Sequence, residues 1–167
     1  TQTGRSAILF PHGVLFRKEE KDMRELMIKS DIVECVIGLG PNLFYNSPME
    51  ACIIICNARK EKKRKNAILF INAIKEVSRK NAESYLEDEH IKNIVDAYNE
   101  GKKVDDFCEL VSYKDIEKND FDLSIQKYIF LNEDSLATPL DRDTCLQTWQ
   151  TSHISTITNY KNLIKLL

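Results

Sequence analysis

Two apolar runs separated by a short connection constrain the fold of this chain most strongly. Residues 33–39 and 51–56 each have the length of a β-strand and are too apolar for a strand with one exposed face, so we interpret both as strands buried on both faces. The connection between them, residues 40–50, is too short for a helical crossover. The second strand is therefore predicted to run antiparallel to the first.

The connection carries large apolar side chains. Leu43, Phe44 and Tyr45 stand among proline and asparagine residues, whereas an ordinary surface turn is built from small and polar residues. Aromatic rings in a loop either pack beneath it or contact a ligand. The residues alone leave both alternatives open, a hydrophobic plug under the hairpin or a binding surface.

A strand–helix–strand order precedes this pair. Residues 7–10 are predicted to form a short buried strand, and residues 19–29 a helix whose buried stripe is Met23, Leu26 and Met27 at i, i+3, i+4 spacing. Two parallel strands need a crossover, and a helix of about a dozen residues is the usual one. The order therefore predicts an α/β sheet of parallel strands that ends in an antiparallel hairpin.

The following segment contains a second helix. Residues 88–100 have one apolar stripe and are followed by Gly101 as a cap. Ser112 is placed to cap a short helical turn. We interpret residues 75–85 as a loop and residues 121–129 as an extended segment.

The C-terminal part differs in pattern. Residues 130–143 are acidic, contain a proline and show no period, so we predict a linker there, between a domain of residues 1–129 and a helical tail of residues 144–167. The tail has an apolar stripe that must pack on its own domain or on a partner. The stripe consists of Ile154, Ile157, Tyr160, Ile164 and Leu167.

Composition excludes several classes of protein. Hydrophobic residues make up 43% and charged residues 30%, as in an ordinary globular domain. A net charge of −2 argues against a chain that is basic throughout, although local basic patches remain possible. No signal peptide and no apolar run of about 20 residues is present, so we expect no membrane partner. The chain begins with Thr1 and is soon predicted to enter a strand, which suggests a piece of a longer protein.

The five cysteines indicate a reducing compartment. They are odd in number and form no C-x-x-C pair, so we expect free thiols in a cytoplasmic protein. Cys52 and Cys56 share strand parity, but no histidine is near them in sequence, so no metal site is predicted.

A basic run, RKEKKRK, occupies residues 59–65. It is either a solvated hairpin loop or a set of phosphate contacts. The candidate contacts are Arg59, Lys62, Lys63, Arg64 and Lys65, together with Arg17 in an earlier segment.

Familiar catalytic motifs are missing from the sequence. The G-L-G of residues 38–40 is followed by Pro41 and not by a helix, so it is no dinucleotide loop. No G-x-x-x-x-G-K-[ST] and no G-x-S-x-G occurs. His12, between Pro11 and Gly13, follows a strand at the position where α/β sites form. It either caps the strand end or borders a site.

The order of several segments resembles a known family. GRSAILFPHGVLFR (4–17), IVECVIGLGPNLFYNSPMEACIIICN (32–57) and AILFINA (67–73), followed by DEHIKNIVDAYN and YKDIEKNDFDLSIQKYI, are similar to the methyltransferase (M) subunit of type I restriction-modification systems, which are adenine-N6 DNA methyltransferases. The resemblance covers about residues 4–129. It implies the second half of a Rossmann-like class I methyltransferase sheet.

The resemblance also implies what the chain lacks. In this family the S-adenosylmethionine loop and the N-P-P-F/Y catalytic tetrapeptide lie upstream of the matched segments. The four prolines here are never adjacent, so no N-P-P is present. The chain by itself is therefore expected to be inactive, to leave cofactor binding to upstream residues, and to use no metal.

The loop of residues 42–46 is the implied site. The resemblance suggests Phe44, Tyr45 and Asn46 as a wall for a flipped adenine. Pro11 and His12 are candidates for the rim of the site because of their place at the end of a strand. Many members continue with a Thr-Gly-Ile-Pro-like turn where this chain has Ser-Pro-Met-Glu. The implied partners are double-stranded DNA, a specificity subunit and a second M subunit, the last two through the tail stripe. The alternative function is a non-catalytic α/β module that binds protein or DNA.

Overall fold

The computed structural model describes residues 3–44, 47–80 and 83–129. Seven β-strands and three α-helices lie within them. In chain order these are β1 Arg5–Pro11, α1 Lys21–Lys29, β2 Val33–Leu39, β3 Ala51–Asn57, β4 Ala67–Ala73, β5 Ser78–Lys80, β6 Glu83–Tyr85, α2 Asp88–Glu100, β7 Cys108–Ser112 and α3 Tyr113–Lys118.

Five strands form one mixed sheet in the order β1-β3-β2-β4-β7. Strand β3 runs antiparallel to both β1 and β2, so the antiparallel direction predicted from the short connection is confirmed. Strands β2 and β4 are parallel, and β7 is antiparallel to β4. The predicted fold class, an α/β sheet with an antiparallel hairpin strand, is confirmed.

The register defines two ends of the sheet. At one end Pro11 pairs with Ala51, Ala51 with Leu39, and Leu39 with Ala73; we call this the Pro11 end. At the other end Arg5 pairs with Asn57, and we call it the Asn57 end. Since β1 and β3 have seven residues each at about 3.3 Å per residue, the two ends are about 20 Å apart.

The centre of the sheet is buried on both faces. All seven residues of β2 are buried, because α1 and α3 cover one face and α2 the other. One core cluster includes Leu15, Ile28, Val36, Phe70 and Ile116. The second cluster, on the opposite face, includes Cys35, Ile37, Leu69, Ile71 and Ala97. The interpretation of residues 33–39 as a strand buried on both faces is therefore confirmed.

The prediction of a buried first strand is wrong. Ile8 is 39% and Leu9 50% exposed. The reason is position: β1 lies at the edge of the sheet and pairs only with β3 among the described strands. An apolar run shows that a strand can be buried, but the number of its neighbours decides whether it is.

Helix α1 forms where the sequence predicts it, and the predicted stripe turns inward in part: Met27 packs against the first core cluster, but the other two residues do not point into it. Met23 is 41% and Leu26 69% exposed, whereas Arg24 and Ile28 are buried. The Arg24 guanidinium donates hydrogen bonds to the carbonyl oxygens of Val14 (3.0 Å) and Arg17 (2.7 Å). These acceptors stabilise the Arg24 cation on the inner face of the helix. The spacing of apolar residues in the sequence gives no sign of them.

The segments after β4 agree with the sequence-based predictions in part. Helix α2 has the predicted bounds and ends at Gly101, whose φ of 59° is the left-handed conformation that favours glycine. The side-chain oxygen of Ser112 accepts the backbone N–H of Asp115 and caps α3, as predicted. Two predictions are wrong: residues 75–85 contain the β5–β6 hairpin, and the supposed extended segment contains a 3-10 turn at Ile125–Lys127. The two strands of the hairpin and the 3-10 turn are each three residues long, too short for a hydrophobic period to be visible in the sequence.

The predicted linker (130–143) and helical tail (144–167) lie outside the described residues. No helix in the described part of the chain has the length and apolar character to cross a membrane.

Candidate functional site

A pocket opens at the Pro11 end of the sheet. Its volume is about 200 Å³. It lies between the last residues of β1, the loop after β2 and the first residue of β3, and its lining consists of Leu9, Phe10, Pro11, Phe44, Ser47, Met49, Glu50 and Ala51. Ligands of open α/β sheets bind outside the carboxyl ends of the strands, and the carboxyl end of β1 forms one wall here.

Local structure places Phe44 in this wall. A side chain at Gly40 would put its Cβ 2.7 Å from the backbone oxygen of Ile74, so the absence of a side chain lets the loop leave β2 close to the end of β4. The Ser47 N–H then donates to the Phe44 carbonyl oxygen at 3.1 Å and closes a turn.

Phe44 occupies a position that fits both alternatives for the aromatic loop. Phe44 and Leu43 pack against the second core cluster, as a plug would. Phe44 also lines the pocket, as a binding surface would. Tyr45 and Asn46, the other two predicted wall residues, lie outside the described residues.

The two predicted rim residues differ in their relation to the pocket. Pro11 lines it, whereas His12 does not. The His12 N–H donates to the carbonyl oxygen of Glu50 at 3.2 Å, and His12 Nδ1 lies 3.3 Å from Glu50 Oε2. Glu50 itself lines the pocket and supplies the one ionisable side chain among the described lining residues. The sequence reasoning missed Glu50, although its place in the Ser-Pro-Met-Glu departure from the family turn was a signal.

The candidate phosphate contacts are divided between the two ends of the sheet. Arg17 is exposed at the Pro11 end, where its guanidinium covers Gly13. Arg59, Lys62, Lys63 and Lys65 are exposed at the Asn57 end, about 20 Å from the pocket. Their loop is not a hairpin, because β2 lies between β3 and β4. The structure therefore does not bring the basic run to the pocket.

Arg64 is buried, which contradicts its prediction as a phosphate contact. Its guanidinium lies 3.6 Å from a Glu34 oxygen and donates a hydrogen bond to the carbonyl oxygen of Tyr98. The Tyr98 hydroxyl also donates to Glu34, at 2.7 Å, and Asn57 Nδ2 donates to Glu34 at 3.2 Å. Glu34 is the one carboxylate in the otherwise apolar strand β2. Because a buried charge must be paired, its presence in the sequence indicated that it would have polar partners.

Lys60 makes a second internal ion pair at the same end. Its ammonium group donates to Asp31 at 2.7 Å and to the Ala67 carbonyl oxygen at 2.8 Å. Burial lowers the pKa of Lys60 in spite of this pairing. Burial also acts to raise the pKa of Asp31, but hydrogen bonds from Lys60 and Tyr113 outweigh it and hold the pKa below its usual value. We call the residues Asp31, Glu34, Asn57, Lys60, Arg64, Tyr98 and Tyr113 the internal ion network.

The described cysteines are free, as predicted, and are not activated. Cys35, Cys52, Cys56 and Cys108 form no disulfide. Burial raises the pKa of Cys52 to about 12 and that of Cys108 to about 11, so both thiols stay protonated near neutral pH and are poor nucleophiles. Among the described residues, no group of three or more His, Cys, Asp or Glu side chains is placed to hold a metal ion. The described lining of the pocket is mostly apolar, with the Phe44 ring beside the Ser47 hydroxyl and the Glu50 carboxylate.

Comparison with known proteins confirms the resemblance found in the sequence. A family model described as N-6 DNA Methylase matches residues 1–135. The methylase subunit of the type I restriction enzyme MjaVIII of Methanocaldococcus jannaschii is 41% identical over 129 residues, which cover 75% of this chain and 22% of that protein. The methylase subunit of the HindI enzyme of Haemophilus influenzae is 30% identical over 137 residues, 75% of this chain and 30% of that protein.

A solved structure gives the same result for the fold. The methyltransferase subunit of a type I restriction-modification system from Streptococcus thermophilus superposes with a TM-score of 0.70 at 34% identity, covering 75% of this chain and 26% of that one. The chain thus spans less than a third of the length of each of these relatives. The matches support the methylase interpretation and not the alternative of a non-catalytic module. Since the family model covers most of its length, this chain belongs to the N-6 DNA methylase family.

Proposed function

We propose that this chain completes the catalytic domain of a type I restriction methylase subunit, and that the whole enzyme transfers a methyl group from S-adenosylmethionine to N6 of adenine in double-stranded DNA. Two facts support the proposal: the family match over residues 1–135, and the pocket at the Pro11 end in which Phe44 faces Leu9, Phe10 and Pro11. The pocket carries the argument for the role of this part of the enzyme.

The role of the pocket is to hold the target base outside the duplex. An enzyme that modifies an exocyclic amine must extrude the base, and it stabilises the flipped base between aromatic or apolar surfaces. Phe44 supplies an aromatic surface of this kind, with Tyr45 and Asn46 continuing the same loop. Pro11 forms the opposite rim, and His12 directly follows it in the chain.

The turn after β2 does not fit S-adenosylmethionine. The two glycines at the end of β2 are closely covered: a Cβ at Gly38 would lie 2.5 Å from the Ile125 side chain, and one at Gly40 would lie 2.7 Å from the Ile74 oxygen. No room is left for a cofactor at this turn. Because the family's cofactor loop and its N-P-P-F/Y tetrapeptide lie upstream of the matched segments, we assign cofactor binding and the methyl-transfer step to that upstream part of the enzyme.

The exposed cations contact the DNA backbone at two places. Arg17, at the Pro11 end of the sheet, neutralises a phosphate near the flipped nucleotide. Arg59, Lys62, Lys63 and Lys65, about 20 Å away, reach phosphates about six base pairs along the duplex at about 3.4 Å per pair. Arg64 has no part in these contacts, because its charge is neutralised inside the protein by Glu34.

The partners are a specificity subunit and a second M subunit. The apolar tail stripe, Ile154 to Leu167 in the sequence, is the proposed contact for one of them. Free thiols at four described cysteines agree with a cytoplasmic location.

A substitution of Phe44 tests the proposal in the complete methylase subunit assembled with its specificity subunit. Stacking of a base on an aromatic ring contributes about 1–3 kcal/mol, so Phe44→Ala should lower kcat/KM roughly 5- to 150-fold, at about 1.4 kcal/mol per factor of ten. It should also reduce the fluorescence increase of 2-aminopurine placed at the target adenine. Both are measured on duplexes that carry the recognition sequence.

Phe107→Ala is the matched control, because Phe107 packs against the same core cluster as Phe44 but does not line this pocket. It should keep the fluorescence signal. Wild-type kinetics and wild-type fluorescence in Phe44→Ala would refute the proposed role of the pocket.

A further inference from the structure

His12 and Glu50 connect the two walls of the pocket. His12 directly follows β1 and Glu50 directly precedes β3, and the last ladder pair between these strands is Pro11 with Ala51. The hydrogen bond from the His12 N–H to the Glu50 carbonyl oxygen, 3.2 Å, extends this ladder by one residue. The backbone on both sides is thereby fixed in register at the pocket edge.

The side chains add a second connection at the same place. His12 Nδ1 lies 3.3 Å from Glu50 Oε2, with the imidazole 14% and the carboxylate 40% exposed. The other ring nitrogen, Nε2, is buried and has no hydrogen-bond partner in the described part of the chain. The ring also meets Phe16 edge-on, with centroids 6.3 Å apart. Glu50 is therefore the polar side chain that His12 can orient, and the contact with Phe16 limits the movement of the imidazole ring.

Only one member of the pair reaches the pocket. Glu50 lines it together with Met49 and Ser47, which belong to the same segment as Phe44, whereas His12 does not line it. Any effect of His12 on a bound base must therefore pass through Glu50. A pair this exposed contributes little to the free energy of unfolding. Its main effect is therefore on the position of the Glu50 side chain.

We infer that His12 is a positioning residue: through Glu50 it fixes the Phe44-bearing segment against the end of β1 and so holds the base wall at the correct distance. The inference rests on the proposed function of the pocket. Sites of this kind lose activity when a wall moves by a fraction of an ångström to one ångström.

The test uses the complete methylase subunit with its specificity subunit, and a duplex with 2-aminopurine at the target position. His12→Ala and Glu50→Ala should each lower kcat roughly tenfold with little change in KM for DNA, because the misplaced wall affects the flipped base and not the phosphate contacts. The 2-aminopurine signal should fall in both variants. The double variant should be no worse than either single one, since the two residues act as a unit.

A conservative variant separates positioning from packing. Glu50→Gln keeps an oxygen that can accept from His12 Nδ1–H, so it should restore kcat to within about threefold of wild type. Glu19→Ala is the control and should behave as wild type, because Glu19 is an exposed glutamate between His12 and α1 that does not line the pocket.

Three outcomes would overturn the inference: wild-type kcat and fluorescence in Glu50→Ala, additive losses in the double variant, or a Glu50→Gln variant as defective as Glu50→Ala. The Phe44→Ala variant in the same assay distinguishes this failure from that of the proposed function. If Phe44→Ala loses the signal while Glu50→Ala retains it, the pocket holds the base and His12 does not position it.

Discussion

The two ends of the sheet are stabilised in opposite ways. At the Asn57 end, Glu34 is 1% and Arg64 5% exposed, and both make hydrogen bonds or ion pairs inside the protein. At the Pro11 end, the His12–Glu50 pair is partly exposed and borders an open, mostly apolar pocket. The Asn57 end is therefore stabilised by buried charges that are paired inside the protein, whereas the polar pair at the Pro11 end is partly exposed. The basic run lies at the Asn57 end, and two of its cations, Lys60 and Arg64, make ion pairs inside the protein.

The largest effect is expected where the Asn57 end loses a charge. Glu34→Ala leaves Arg64 buried without its partner, and removal of one member of a buried ion pair costs about 3–5 kcal/mol. Urea denaturation of the chain should show this loss of unfolding free energy. Glu61→Ala is the control, because Glu61 is an exposed glutamate of the basic loop. A loss below about 1 kcal/mol for Glu34→Ala would show that the two ends are held equally loosely.

An intermediate effect is expected for Asp31, and it should depend on pH. Asp31→Asn removes the charge that pairs with Lys60, and hydrogen bonds to charged groups contribute about 1.5–3 kcal/mol. Hydrogen bonds lower the folded-state pKa of Asp31 despite its burial. Its contribution is therefore complete above the unfolded-state pKa of about 3.9 and disappears as the pH falls through the lower folded-state pKa.

Denaturation of wild type and Asp31→Asn between pH 7 and pH 2.5 measures this difference. The gap in unfolding free energy should be constant down to about pH 5 and should narrow below about pH 4. A gap that widens as the pH falls would contradict the assigned direction of the Asp31 pKa.

The smallest effect on stability is expected at the Pro11 end. Glu50→Ala removes a partly exposed pair, and such pairs contribute about 0–1 kcal/mol. Its unfolding free energy should therefore stay within about 1 kcal/mol of wild type, even though its methylation kinetics in the complete enzyme are expected to change. A loss as large as that of Glu34→Ala would remove the contrast between the ends.

The candidate site was predictable in part. The aromatic loop stood out because rings at Phe44 and Tyr45 are unusual in a polar turn, and the family resemblance gave them a role. Pro11 was identified from its place after a strand. Glu50 was missed because its role depends on a contact with His12, which lies 38 positions earlier in the sequence. Arg64 was misassigned because a run of seven mostly basic residues shows which charges are present but not which of them turn inward.

The sequence alone determined the order of the first four elements, β1, α1, β2 and β3, the antiparallel direction of β3, the bounds of α2 and the family. These properties follow from local facts: the length of a connection, the period of apolar residues, a capping glycine and a set of ordered motifs. The tertiary structure alone decided that β3 lies between β1 and β2, that α1 turns Arg24 inward, that Lys60 and Arg64 are buried, and that Glu50 meets His12 at the pocket. The physical reason is that a charged side chain can be buried only where acceptors are supplied, and here the acceptors come from residues distant in sequence.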